Sequence, residues 1–240
     1  MEVEHVNPYD DKRAKTEQVE AMFDAIAPAY DFMNRAMTFG LDRLWLRALV
    51  KVVRRSGARH IVDMATGTGD VALALANRIS GVKVTGLDLS EGMLSKARAK
   101  TKGEDVTFRQ ADCLHTGLPE ASADAVTVAY GVRNYADIAA GLREIARILR
   151  PGGTVAILEL STPVSPITKP LYKLYTRLLI PAAGRVISGD SRAYSYLPES
   201  IAAAPQRGDM TALMTEAGLA EASYKALSFG VCTLYTAKKY

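Results

Sequence analysis

The sequence predicts an α/β fold, a Rossmann-like, mostly parallel sheet that ends in an antiparallel strand. Three observations predict it. Between residues 59 and 160, short apolar runs alternate with amphipathic helical stretches, the pattern of strand–helix–strand crossovers in a parallel sheet. One run, Ile61-Val62-Asp63-Met64, breaks into Ala65-Thr66-Gly67-Thr68-Gly69-Asp70 and then turns helical. That is a tight strand-to-helix turn, where bare backbone and a helix N-terminus meet a ligand. Near the end, two apolar runs at about 221–227 and 231–237 flank the turn Ser228-Phe229-Gly230, a hairpin signal.

The elements follow in order. Residues 1–11 are polar and acidic, which predicts a mobile arm with no secretory h-region. Residues 12–56 read as helices, clearest from Leu41 to Arg55, where Leu41, Leu44, Trp45, Ala48, Leu49, Val52 and Val53 share a face and Gly57 stops the helix. Strands are expected at 59–64, 82–87, 105–110, 124–130 and 154–160, the last after Pro151-Gly152-Gly153, with helices at 70–80, 91–102 and 137–149. Residues 163–205 hold six of the ten prolines and no clear strand. Within them 167–180 reads as a basic, aromatic, amphipathic helix, and a further helix at 206–217 ends at Gly218. The expected organisation is an arm over 1–11 and a single domain over 12–240. Within that domain, 12–56 are N-terminal helices and 163–205 form a helical insertion for substrate binding or a lid.

Composition bounds the function. A chain of 240 residues with 48% apolar content buries a sizeable core in one α/β domain, and no apolar run reaches the ~20 residues of a membrane span. Two distant cysteines, Cys113 and Cys232, point to a reducing, cytoplasmic setting and to no metal site. A net charge of +4 favours mild attraction to anionic surfaces.

The turn alone does not choose the ligand, because Gly67-x-Gly69-x-x-Ala72 also fits the loose dinucleotide fingerprint. The choice comes from acids further on. Asp63, Asp88 and Asp112 end three successive strands above one crevice. A pyrophosphate site must spare negative charge. Three carboxylates suit a phosphate-free ligand with an adenine, a ribose and a cationic sulfonium, which is S-adenosylmethionine. The plain alternative for Asp88, ahead of Ser90 and Glu91, is a helix cap. A nicotinamide-dependent oxidoreductase or a non-catalytic nucleotide-binding module is the rival class. With the terminal hairpin, the pattern is that of a seven-stranded class I methyltransferase.

Longer motifs carry a resemblance. Tyr30-Asp31-Phe32-Met33-Asn34 continues through Met37-Thr38-Phe39-Gly40-Leu41-Asp42-Arg43-Leu44-Trp45. Arg147 to Ser161 reads RILRPGGTVAILELS, Tyr130 to Asn134 reads YGVRN, and Tyr194 to Ser200 reads YSYLPES. Over about residues 12–238 the chain resembles the C-methyltransferases that finish menaquinone and ubiquinone rings. That family usually has Ser where Thr38 stands and His where Asp42 stands; Asp42 reads here as a helix start.

The resemblance implies methyl transfer from S-adenosylmethionine, without a metal, to a ring carbon of a prenylated quinol. The expected acceptor is a demethylmenaquinol, the alternatives being a dual menaquinone/ubiquinone activity or another small-molecule acceptor. Gly67, Thr68 and Gly69 would face the methionine part, with Thr68 hydrogen-bonding it. Asp63 would sit behind the loop, accepting backbone N–H groups or facing the amino group. Asp88 would take both ribose hydroxyls. Asp112 would accept from the adenine amino group, with the Cys113 backbone beside it, and Ala129 would offer a main-chain group. Arg133, which stays protonated, would stabilise the acceptor phenolate directly or through a water, with Asn134 orienting it. Tyr30, Asn34, Tyr194 and Tyr196 would line the quinone pocket, and Glu159 would support it. His60 and His115 read as structural or solvated. Expected partners are the polyprenyl quinol and a peripheral membrane contact through helix 167–180, with a homodimer left open. A nucleic-acid acceptor is not expected, since Ala129-Tyr130-Gly131-Val132 stands where amino-methylating enzymes carry a Pro-Pro-aromatic motif.

Overall fold

The computed structural model describes residues 1–9, 11–166, 168–175 and 191–240, without the side chains of residues 171, 173 and 191–194. Seven strands form one sheet: β1 (His60–Met64), β2 (Lys83–Asp88), β3 (Val106–Gln110), β4 (Ala123–Ala129), β5 (Leu149–Leu160), β6 (Leu219–Leu227) and β7 (Cys232–Lys239). The spatial order is β3-β2-β1-β4-β5-β7-β6. β7 pairs antiparallel with both neighbours, and the other four pairings are parallel. The expected hairpin is present, but β7 returns between β5 and β6, so β6 rather than the antiparallel strand forms the edge.

Period-two alternation sends successive side chains of each strand to opposite cores. Val155 and Ile157 pack in one core with Ile138, Leu142 and Ile145 of α6 (Ile138–Ile148). Ala156 and Leu158 face the other core with Trp45, Leu49 and Val53 of α3 (Asp42–Ser56). Strand order reverses between β1 and β4, so a crevice opens beyond their carboxyl ends. Helix α4 (Asp70–Arg78) leaves β1 at that crevice, and α5 (Glu91–Lys100) follows β2, capped by the Ser90 hydroxyl accepting from the Met93 N–H at 3.0 Å. Two further helices, α1 (Lys15–Ile26) and α2 (Tyr30–Met37), roof the crevice. Their Met22, Ile26 and Met33 join Met93 and Tyr196 in a third apolar cluster.

Two features differ from the sequence expectation. Residues 1–9 are not a free arm: Val3 is fully buried, and Glu4 accepts the Ile138 N–H at 3.0 Å at the start of α6. One apolar anchor and one cap inside a polar stretch left no compositional trace. Pairing of β5 begins at Leu149, opposite Ala123, and its register shifts before Thr154 meets Ala125, so Pro151-Gly152-Gly153 sits inside the strand. Of the helix expected over 167–180, α7 (Thr168–Leu174) is present and 176–180 lie outside the described residues. Helix α8 (Ser191–Ala203), with Pro198 inside it, lies in the expected helical insertion, at residues to which the sequence reading assigns no helix. The last helix, α9 (Gly208–Glu216), precedes β6.

Candidate active site

The strand ends create two adjoining cavities that share Tyr30, Gly67, Ala129, Tyr130 and Asn134 in their walls. The smaller, about 60 Å³, lies over β1–β3 and is lined by Asp88, Asp112, Cys113 and Glu20 among others. The larger, about 480 Å³, lies under α1, α2, α7 and α8.

The loop between β1 and α4 shapes the first. Gly69 has φ +81°, and a Cβ there would meet the Phe108 ring at 2.8 Å, so the turn needs glycine on two counts. Asp88 holds the loop: one carboxylate oxygen accepts the Gly67 N–H at 2.7 Å, the other the Ser90 N–H at 3.0 Å. A carboxylate has lone pairs left for further donors. Burial raises the Asp88 carboxyl above its usual range, and the two N–H bonds oppose the rise. Asp112 accepts the Leu114 N–H at 2.8 Å, and burial pushes the neighbouring Cys113 thiol up to about 12, leaving it unreactive.

Asp63 and Gly69 stand behind the cavity rather than in its wall. Asp63 is buried beneath the loop, as expected, and accepts the Ala72 N–H together with the hydroxyls of Thr66 and Thr127, these two at 2.6 Å. Its burial pushes its carboxyl up to about 6. Gly69 packs against Phe108 and Ala97. The Thr68 hydroxyl lies in the wall of the larger cavity and donates to Asp31 of α2 at 2.5 Å, so its donor is already engaged. Lys100 bridges Asp31 at 2.9 Å and Asp70 at 2.6 Å, tying the roof to α4 and α5.

Among the described residues, Arg133 is the sole basic side chain lining the larger cavity. It sits in a short 3-10 turn, Val132–Asn134, just past β4, and pairs with the buried Glu159 at 2.6 Å, while its own N–H bonds Glu159 at 3.2 Å. Its Nη1 also donates to the Tyr130 carbonyl at 2.5 Å, while its Nε is buried without a partner. Burial opposes the Arg133 charge, and Glu159 more than offsets it. The Asn134 Oδ1 accepts from the Tyr196 hydroxyl at 3.1 Å, and its Nδ2 donates to the Tyr130 carbonyl at 3.2 Å. Burial raises the phenols of Tyr30 and Tyr130 and pushes those of Tyr172 and Tyr196 up to about 12. The larger cavity therefore presents one fixed cation and four neutral phenols, and its wall also carries Asp31, Asp42 and Asp70. Asp31 and Asp70 are paired with Lys100, and Arg133 is the group that an anionic oxygen would meet.

Of the residues expected for the acceptor, Tyr30, Asn34 and Tyr196 line this cavity. The Tyr194 side chain lies outside the described residues. The sequence reading missed Tyr172, Asp31 and the Tyr130 side chain, whose contacts are made across the chain. Asp42 begins α3, as read, and accepts the Thr38 hydroxyl at 3.0 Å, so the two positions that depart from the family pattern bond each other.

A model of the ubiE/COQ5 methyltransferase family matches residues 11–239. The chain belongs to this family. It is similar to a demethylmenaquinone methyltransferase of Porphyromonas gingivalis, at 44% identity over 98% of both chains. A protein of the same name from Bacteroides fragilis is 40% identical, again over 98% of both chains. A solved S-adenosylmethionine-dependent methyltransferase from Thermotoga maritima shares the fold, with a TM-score of 0.61 at 17% identity, covering 91% of this chain and all of that one. The enzyme is a class I methyltransferase, and its cofactor is S-adenosylmethionine. The lining of the smaller cavity suits part of that cofactor: among the described residues its wall holds three carboxylates, Glu20, Asp88 and Asp112, and no basic side chain. Hydroxyl and amino donors meet acceptors there, and a pyrophosphate would meet unfavourable charge.

Proposed function

We propose that the enzyme methylates a ring carbon of demethylmenaquinol to give menaquinol. The observation that carries this reading is Arg133, buried and, among the described residues, the one basic side chain in the wall of a large, mostly apolar cavity that adjoins the smaller one. The relatives' names agree with it.

The cofactor, when bound, supplies an electrophilic methyl group on sulfur. Asp88 would receive the ribose hydroxyls on the lone pairs left by Gly67 and Ser90, and Asp112, with Cys113 beside it, would accept from the adenine amino group. Gly67 and Thr68 would border the methionine part, and Ala129, which lines both cavities, would offer a main-chain group. The acceptor must lose a phenolic proton before its ring carbon is nucleophilic. Arg133 does not take that proton, since it stays charged; it lowers the energy of the resulting phenolate. Tyr196 orients Asn134, which sets the ring beside Arg133. Tyr30 and Asn34 bound the ring from α2, and the apolar walls exclude water and accept the start of the prenyl tail.

Among the described residues, no helix is long and apolar enough to cross a membrane, so a quinol held in a bilayer is met at its surface.

Labelled S-adenosylmethionine incubated with a reduced demethylmenaquinol and with a ubiquinone-pathway benzoquinol tests the reading. Transfer to the naphthoquinol alone is the expected result. Transfer to both would widen the activity to two pathways, and transfer to neither, with the cofactor bound, would overturn the acceptor.

A further inference from the structure

We infer that the chain docks on an anionic lipid bilayer through the mouth of its larger cavity and the outer stripe of α3. The inference deepens the reading above and rests on it, because it takes the acceptor to be a quinol with a bilayer-bound tail.

The mouth is edged by two aromatic tips. Phe39, in the turn between α2 and α3, is 77% exposed, and Phe229, between β6 and β7, is 83% exposed, yet both also line the cavity. Both have positive φ, +51° and +60°, a conformation that bulky residues seldom adopt. Neither side chain recovers that cost by burial in the protein. The tips are fixed from behind: the Trp45 indole N–H donates to the Ser228 hydroxyl at 2.8 Å, and the Phe39 ring lies 5.8 Å from that of Tyr175. Rigid, solvent-facing aromatics around an apolar opening suit the interfacial layer of a bilayer.

Positive charge begins beside the mouth and continues along α3 away from it. Helix α3 buries Trp45, Leu49 and Val53 and turns Leu44, Arg47, Lys51 and Arg55 outward, spaced three and then four residues apart on one face. Among the described residues no ion pair engages these three basic side chains. Residues 30–56 carry six basic and two acidic side chains, an excess of four that equals the whole chain's net charge of +4. The rest of the sequence is balanced, so this segment carries the excess that attracts anionic lipid. A tail leaving the cavity between Phe39 and Phe229 would pass into the acyl layer without crossing water. The docking surface is thus α3 and the two turns, where the sequence pointed to helix 167–180.

Flotation with phosphatidylcholine vesicles, with and without phosphatidylglycerol, tests this. The wild-type chain is expected to float with the anionic vesicles at low salt and to lose that binding as salt rises. R47E and K51E should each weaken binding about fivefold or more, and F39S and F229S about tenfold each. A wild-type chain that stays with the protein-only fraction, or variants that float as well as wild type, would overturn the inference. Methylation of a tail-less, water-soluble naphthoquinol separates it from the functional reading. R47E, K51E and L44S should methylate that soluble acceptor at the wild-type rate while turning over vesicle-borne quinol more slowly. If the wild type methylates neither acceptor, the functional reading fails, and flotation still decides the docking surface.

Discussion

The two cavities meet at Tyr30 and are built in opposite ways. The smaller one takes most of its wall from strand ends and the loops that follow them, and its aspartates are already engaged: Asp88 by two N–H groups, Asp112 by one, and Asp63 beneath by two hydroxyls. The larger one is closed by helices from both ends of the chain, and its one basic side chain among the described residues, Arg133, keeps a buried Nε without a partner. The Tyr130 hydroxyl, in the wall of both cavities, is unpartnered as well. Aspartates held in place offer a cofactor a preorganised wall. A buried cation with a free donor is held ready for an anionic ligand that completes it.

If that contrast is right, substitutions in the two halves should fail differently. The largest expected effect is on stability. Glu159→Ala strands Arg133 as an uncompensated buried charge and should cost about 3–5 kcal/mol in urea denaturation. Asp88→Ala should leave stability closer to wild type but raise the dissociation constant of S-adenosylmethionine about a hundredfold by calorimetry, since two hydroxyl bonds to a charged acceptor are lost. Tyr196→Phe removes one hydrogen bond to Asn134. It should lower kcat/KM for the quinol about fivefold, the equivalent of ~1 kcal/mol, with cofactor affinity unchanged.

The smallest effect is on pH dependence. Hydrogen bonds from Arg147 and Thr116 hold the Glu144 carboxyl at about 2, against an ordinary 4.5. The stability it contributes is complete above pH 4.5 and is lost as pH falls toward 2. Asp63, pushed up from 3.8 to about 6 by burial, acts in the reverse sense, contributing below 3.8 and losing that contribution as pH rises through 6. Melting curves across pH 2–7 should show Glu144→Gln flattening the acid limb alone.

The same division explains what the sequence disclosed. The turn at Gly67–Gly69 and the three strand-end aspartates are local patterns, so the sheet, the crevice and Asp88 were legible. Asp88 supports the loop and lines the cavity, while the helix cap read as its alternative is supplied by Ser90. The acceptor half rests on contacts that no local pattern encodes: Thr68 with Asp31, Arg133 with Glu159, and Trp45 with Ser228, 183 residues apart. The docked N-terminus hid behind a single buried Val3. Arg133 and Asn134 were found by their motif, but their partners Glu159 and Tyr196 had to be supplied by the fold.

The central claim is that cofactor binding and acceptor activation belong to separate halves of the site. Its most direct test is the double variant R133M/E159Q, which removes the buried charge pair together and so avoids an unpaired ion. Calorimetry with S-adenosylmethionine and turnover of demethylmenaquinol should be measured on the same preparation. The expected result is cofactor affinity within about threefold of wild type and a kcat lowered about a hundredfold, the usual cost of losing one preorganised electrostatic contact to the reacting group. Unchanged kcat, or a loss of cofactor affinity that tracks the loss of turnover, would contradict it.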